Sequence, residues 1–142
     1  MIVTVQGCKD QAFESELIKA SQFYGRFLLS KQMLPHIAVN IVMKSAIKDL
    51  GNCTVAFYND WYKPREFEVQ LRKRRSLKST LQTLAHEFVH VKQFARGELN
   101  CGHTKWLGDR IDSDSIDYND LPWEIEATSL EVILYEMYKQ NK

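Results

Sequence analysis

A chain of 142 residues, 44% apolar and 26% charged, is long enough to bury a core of its own, and one domain over residues 1–142 is expected. A net charge of +1 excludes a global electrostatic pull toward nucleic acid or a membrane surface, and no apolar run is long enough to span a bilayer. Cys8, Cys53 and Cys101 are odd in number, far apart and free of any Cys-x-x-Cys pair. That pattern argues against a disulfide framework or a zinc ribbon and for free thiols in a reducing compartment. The first residues lack a basic start followed by an apolar stretch, so no signal peptide is expected and the reading is cytoplasmic.

Residues 2–6 alternate loosely and predict a short strand. Asp10 is placed to cap a helix over about residues 11–30, where Phe13, Leu17, Ala20, Tyr24, Phe27 and Leu28 follow helical spacing. Met33-Leu34-Pro35 ends it. Three strands are then predicted at 36–43, 53–58 and 67–71, with turns at Leu50-Gly51-Asn52, Asn59-Asp60 and Lys63-Pro64. The last strand alternates cleanly, with Phe67, Val69 and Leu71 to one side. The run Arg72-Lys73-Arg74-Arg75 follows; four basic residues on a turn are usually solvated, and a nucleic-acid contact there, with Trp61 and Tyr62 as aromatic partners, is the less favoured reading.

Residues 79–95 form the centre of the argument. Leu81, Leu84, Phe88, Val91 and Ala95 make an apolar stripe at helical spacing, and His86-Glu87-Phe88-Val89-His90 places two imidazoles four apart on roughly the opposite side. Two histidines one turn apart can grip one metal ion, and the intervening Glu87 can reach a water on it as general base. Ser79 with Gln82 predicts the capping box, and Gly97 the stop. Residues 97–120 show little regular pattern. Their aspartates lack the glycine and closing glutamate of a calcium loop, so a solvated acidic loop flanking the cleft is expected.

Pro122 opens a final helix, with Asn119 or Asp120 as its cap and Trp123, Ala127, Leu130, Ile133, Leu134 and Met137 as its buried face. A catalytic zinc takes three protein ligands and keeps one position open. Glu124, Glu126 and His103 are the candidates for the third. Glu124 is preferred, because Ala127 one turn later lets the two helices approach closely, and Thr128 could hydrogen-bond a ligand histidine. His103 and Tyr118 are candidates to stabilise an oxyanion; His36 reads as structural.

The combination of His86-Glu87-x-x-His90 with a later Glu124-x-x-Ala127 resembles the gluzincin branch of zincin metallopeptidases, in which a carboxylate on a later helix is the third zinc ligand. More closely, His86 to Leu99, then Lys105-Trp106-Leu107-Gly108, then Leu121 to Ala127, is similar to small metallopeptidases found in bacteriophage genomes and often labelled SprT-like. The resemblance covers about residues 77–131. It departs in one respect: SprT-type domains take a third histidine before an aromatic, which His103 and Trp106 echo.

What the resemblance implies is an α+β, zincin-like fold: a small, mostly antiparallel sheet beside an N-terminal helix, a metal-binding helix and a C-terminal glutamate helix. The strand at 67–71 would be the edge that receives a peptide substrate. The expected function is zinc-dependent peptide hydrolysis, with Zn2+ on His86, His90 and Glu124 and with Glu87 as base, in the cytoplasm of a bacterial host if the chain is phage-derived. The alternative is a non-enzymatic protein with a structural or vestigial zinc site, nucleic-acid-associated or part of a phage assembly. No membrane partner is expected.

Overall fold

The computed structural model describes residues 1–56 and 63–141. In chain order its elements are β1 (Ile2–Gln6), α1 (Gln11–Leu28), β2 (Ala38–Lys44), β3 (Gly51–Val55), β4 (Glu66–Arg72), α2 (Leu77–Ala95), a hairpin of β5 (Lys105–Trp106) and β6 (Asp109–Arg110), and α3 (Pro122–Gln140). The predicted turn at Asn59-Asp60, the aromatics Trp61 and Tyr62, and the end of the predicted 53–58 strand lie outside the described residues. No helix is long and apolar enough to cross a membrane among the described residues.

The class is α+β, but the sheet corrects the expectation of mostly antiparallel pairing. Its order is β1-β2-β4-β3; β1 with β2 and β2 with β4 run parallel, and β3 with β4 runs antiparallel. The 18 residues of α1 span about 27 Å and carry the chain back along the sheet, so β2 enters in the direction of β1. β4 then inserts between β2 and β3 instead of extending a meander. It is an interior strand, so the expected substrate-receiving edge at 67–71 is also corrected. The edge strand on the side of α2 is β3.

One face of the sheet carries Val39, Ile41, Met43, Phe67, Val69 and Leu71, all buried against helices. The opposite face is a polar ladder: Thr4 Oγ1 donates to Asn40 Oδ1 at 2.8 Å, Asn52 Nδ2 to Gln70 Oε1 at 3.1 Å, and Gln70 Nε2 to Glu68 Oε2 at 2.9 Å. Period-two alternation thus separates a wet face from a dry one. α1 is capped as expected, the Asp10 carboxylate accepting from the amides of Ala12 and Phe13. Its Tyr24 hydroxyl, fully buried, donates to Leu81 O at 3.0 Å and ties α1 to α2.

α2 is the central helix, packed by α1, α3, β3 and β4. The stripe of Leu81, Leu84, Phe88, Val91 and Ala95 is buried as predicted. The helix begins one turn earlier than the predicted capping box: Ser76, not Ser79, is the cap, its hydroxyl accepting from the Ser79 amide at 3.1 Å. Gly97, at φ +72°, turns the chain out of the helix, a left-handed conformation that suits glycine. Neither Asn119 nor Asp120 caps α3. Leu121 holds that position with no side-chain bond, and Pro122 follows in the first turn. The predicted buried face of α3 is right for Trp123, Ala127 and Leu134 and wrong for Ile133, which is 53% exposed; Tyr135 and Tyr138 take its place in the core.

Candidate metal centre

Helical spacing on α2 sets His86 and His90 side by side, with ring centroids 5.0 Å apart. α3 crosses against them. Ala127 is fully buried where the two helices meet, and the absence of a larger side chain there lets Glu124 reach both rings. Nε2 of His86 lies 3.0 Å from Oε1 of Glu124, and Nε2 of His90 lies 3.2 Å from Oε2. One ligand atom from each of these three residues falls within 4.8 Å of the others, so the group could hold a metal ion. The donor set, two imidazoles and a carboxylate, is of the kind that suits zinc.

Each imidazole is held from behind at its other nitrogen. Nδ1 of His90 meets Oε1 of Gln93 at 2.7 Å. Gln93 is fully buried, and its amide donates to Trp123 O and Glu126 Oε1, both at 3.0 Å. Nδ1 of His86 meets Oε1 of Glu131 at 3.3 Å. Both rings therefore turn Nε2 toward Glu124, the arrangement by which outer partners orient metal-binding histidines. Neither Gln93 nor Glu131 was singled out by the sequence reading. Spacing was the signal available: Gln93 is three residues after His90, the ring it backs, and Glu131 is seven after Glu124, on the same face of α3. Thr128, expected in such a role, is exposed instead.

The electrostatics follow from burial and pairing. Burial alone would favour neutral groups, but hydrogen bonds to Glu124 and Glu131 lift His86 to about 10, and those from the two histidines hold Glu124 at about 2. His90 is raised for the same reason, its bond to Glu124 outweighing burial. The Glu124 carboxylate is thus placed to receive positive charge, which a divalent cation between the three residues would supply.

Glu87 is 5% exposed, and burial pushes its carboxyl up to about 7, against the opposing pull of His90 and His86. It lines two cavities that flank the histidines. The larger, about 220 Å3, lies on the His86 side; the smaller, about 130 Å3, lies on the His90 side and is also lined by Phe94, His103 and Glu124. Asp49 and Gly51, before and at the start of edge strand β3, wall both; Leu50 lines the larger alone.

The rival third ligands are placed elsewhere. Glu126 is engaged by Lys92 at 2.9 Å and by Gln93. His103 packs its ring near Phe94 and Trp123, with centroids 5.7 and 5.8 Å away, and burial lowers its pKa. It lines the smaller cavity without joining the three-residue group. Tyr118 lines both cavities; burial, then the charge of Glu124 and a hydrogen bond to it, raise its phenol. The loop between α2 and α3 is more ordered than predicted, since it contains the β5–β6 hairpin and short turns at Ser113–Ser115 and Tyr118–Asp120. His36 sits in a short turn before β2, away from the centre. In the basic run, Arg72 donates to the carbonyls of Ile47 and Lys48, and Arg75 to Thr83 Oγ1 at 2.8 Å.

Compared with known proteins, the chain matches no family model, and no curated protein or solved structure matches it.

Proposed function

We propose that the chain is a zinc-dependent metallopeptidase of the gluzincin type, with a zincin-like arrangement of helix, edge strand and later glutamate helix. One observation carries the reading: Nε2 of His86, Nε2 of His90 and the Glu124 carboxylate converge from two helices, while Glu87 lies buried beside them on the wall of a cleft. A structural zinc site would close with a fourth protein ligand and would have no need of Glu87. Three donors beside an open cleft suit a catalytic site better.

A zinc ion held by His86, His90 and Glu124 would supply a Lewis-acidic position at which water becomes acidic near neutral pH. Glu87 takes the water's proton and passes it to the leaving amine. Glu131 and Gln93 keep both Nε2 atoms facing inward. Tyr118 and His103, on the cavity walls, are the candidates to donate a hydrogen bond to the oxygen that gains charge. The extended backbone of a peptide would pair with edge strand β3, which borders the cleft.

The test is cleavage of a mixed library of internally quenched peptides by zinc-loaded protein and by Glu87→Gln. The wild type is expected to cleave, and the variant to bind zinc equally but turn over about 100- to 10,000-fold more slowly, the usual range for a lost general base. A variant that keeps wild-type rates would remove Glu87 from this role.

A further inference from the structure

We propose that the cavity beside His86 is a subsite for a cationic side chain of the peptide substrate, a lysine or arginine next to the scissile bond. The proposal rests on the peptidase reading and adds the substrate class. The cavity opens directly off the histidines and has a volume of about 220 Å3. That is several times the roughly 30 Å3 share of a liquid water, and leaves room for a long side chain.

Its walls are uneven in charge. Asp49, at the bend before β3, and Glu131, on α3, both line it. Glu87 forms part of the wall, 5% exposed and with no hydrogen-bond partner among the described residues. Leu50 and the Tyr118 ring offer apolar surface for an aliphatic stem. The guanidinium groups nearby are those of Arg75, fixed on the Thr83 hydroxyl at 2.8 Å, and Arg72, fixed on the carbonyls of Ile47 and Lys48; neither lines the cavity. Asp49, Glu87 and Glu131 line the cavity, and among the described residues no lysine or arginine does. A cation entering the cavity gains from this field, and a carboxylate is repelled by it.

β3 sets the geometry. Gly51 lines the cavity, and a Cβ at that position would come within 2.8 Å of Thr83 Cγ2 and 3.0 Å of Gln70 O. The strand can therefore lie close to α2 while Asp49 stands at its entrance. Asp49, Gly51 and His86 line one cavity, so a peptide paired along β3 would bring a side chain there beside the histidine.

The experiment uses the full zinc-loaded chain and two peptides, acetyl-Gly-Lys-Gly-amide and its norleucine counterpart, titrated by NMR chemical shift. Wild type is expected to bind the lysine peptide about fivefold tighter, as a partly solvent-screened charge contact allows, and Asp49→Asn to bring the two within about twofold. Added salt should shrink the preference. Quenched peptides differing only in lysine or norleucine should show the same ratio in kcat/KM. Equal binding of the two by wild type, or a preference that Asp49→Asn leaves intact, overturns the subsite. Lysine-selective binding without cleavage keeps the cation site and removes the peptidase reading; cleavage without selectivity does the reverse.

Discussion

The two imidazoles of the centre have opposite surroundings. His90 is backed by Gln93, a neutral amide with no solvent exposure, which is itself fixed by Trp123 O and Glu126. Aromatic residues narrow that side to the smaller cavity, with the His103 ring packed near both Phe94 and Trp123. His86 is backed by Glu131, a carboxylate with a quarter of its side chain exposed, and opens on the larger, acidic cavity. One histidine belongs to the core and the other to the cleft. The difference teaches how, on the proposed reading, a small chain can hold a metal centre that stays accessible: it anchors one histidine in packing and leaves the other at a cleft wall.

That contrast can be broken from either side. Glu124, which joins the halves, should give the largest effect. Glu124→Ala is expected to weaken zinc binding by more than the roughly 100-fold that an outer partner can account for, measured by competition with a chromogenic chelator. Retained affinity would move the third ligand to another residue. Gln93→Leu comes next, because it strips His90, Trp123 O and Glu126 of a buried partner at once. A loss of about 2–3 kcal/mol in stability by urea denaturation is expected, together with weaker zinc binding. On the open side, Glu131→Gln should weaken zinc binding about tenfold with under about 1 kcal/mol lost in stability. An equal stability loss in both variants would erase the proposed asymmetry. Smallest of all is Thr128→Ala: its side chain is exposed, and zinc affinity should stay within about twofold.

Much of the centre was legible because helices write their geometry in local spacing. His86 and His90 are four apart, and Ala127 follows Glu124 by three, so facing positions could be read without knowledge of the fold. The partners Gln93 and Glu131 obeyed the same rule, but polar residues at helical spacing are common, and only the approach of α3 to α2 gives them a meaning. Strand order was not legible. β4 pairs with β2 across the intervening β3, a choice made by long-range packing that alternation in Phe67, Val69 and Leu71 does not encode. α3 misled for a different reason. It is apolar over much of its circumference, with Ile125, Val132 and Ile133 about half exposed, so its buried arc was ambiguous. Tyr138 resolves it, burying its ring while its hydroxyl donates to Glu16 at 2.7 Å.

The most direct test of the central claim is zinc content by elemental analysis of wild type and Glu124→Ala, each stripped with chelator, reloaded with zinc and desalted side by side. The account predicts about one zinc per wild-type chain, as a single three-ligand site requires, and close to none in the variant. A wild type that takes up no zinc, or a variant that holds as much as wild type, would contradict it.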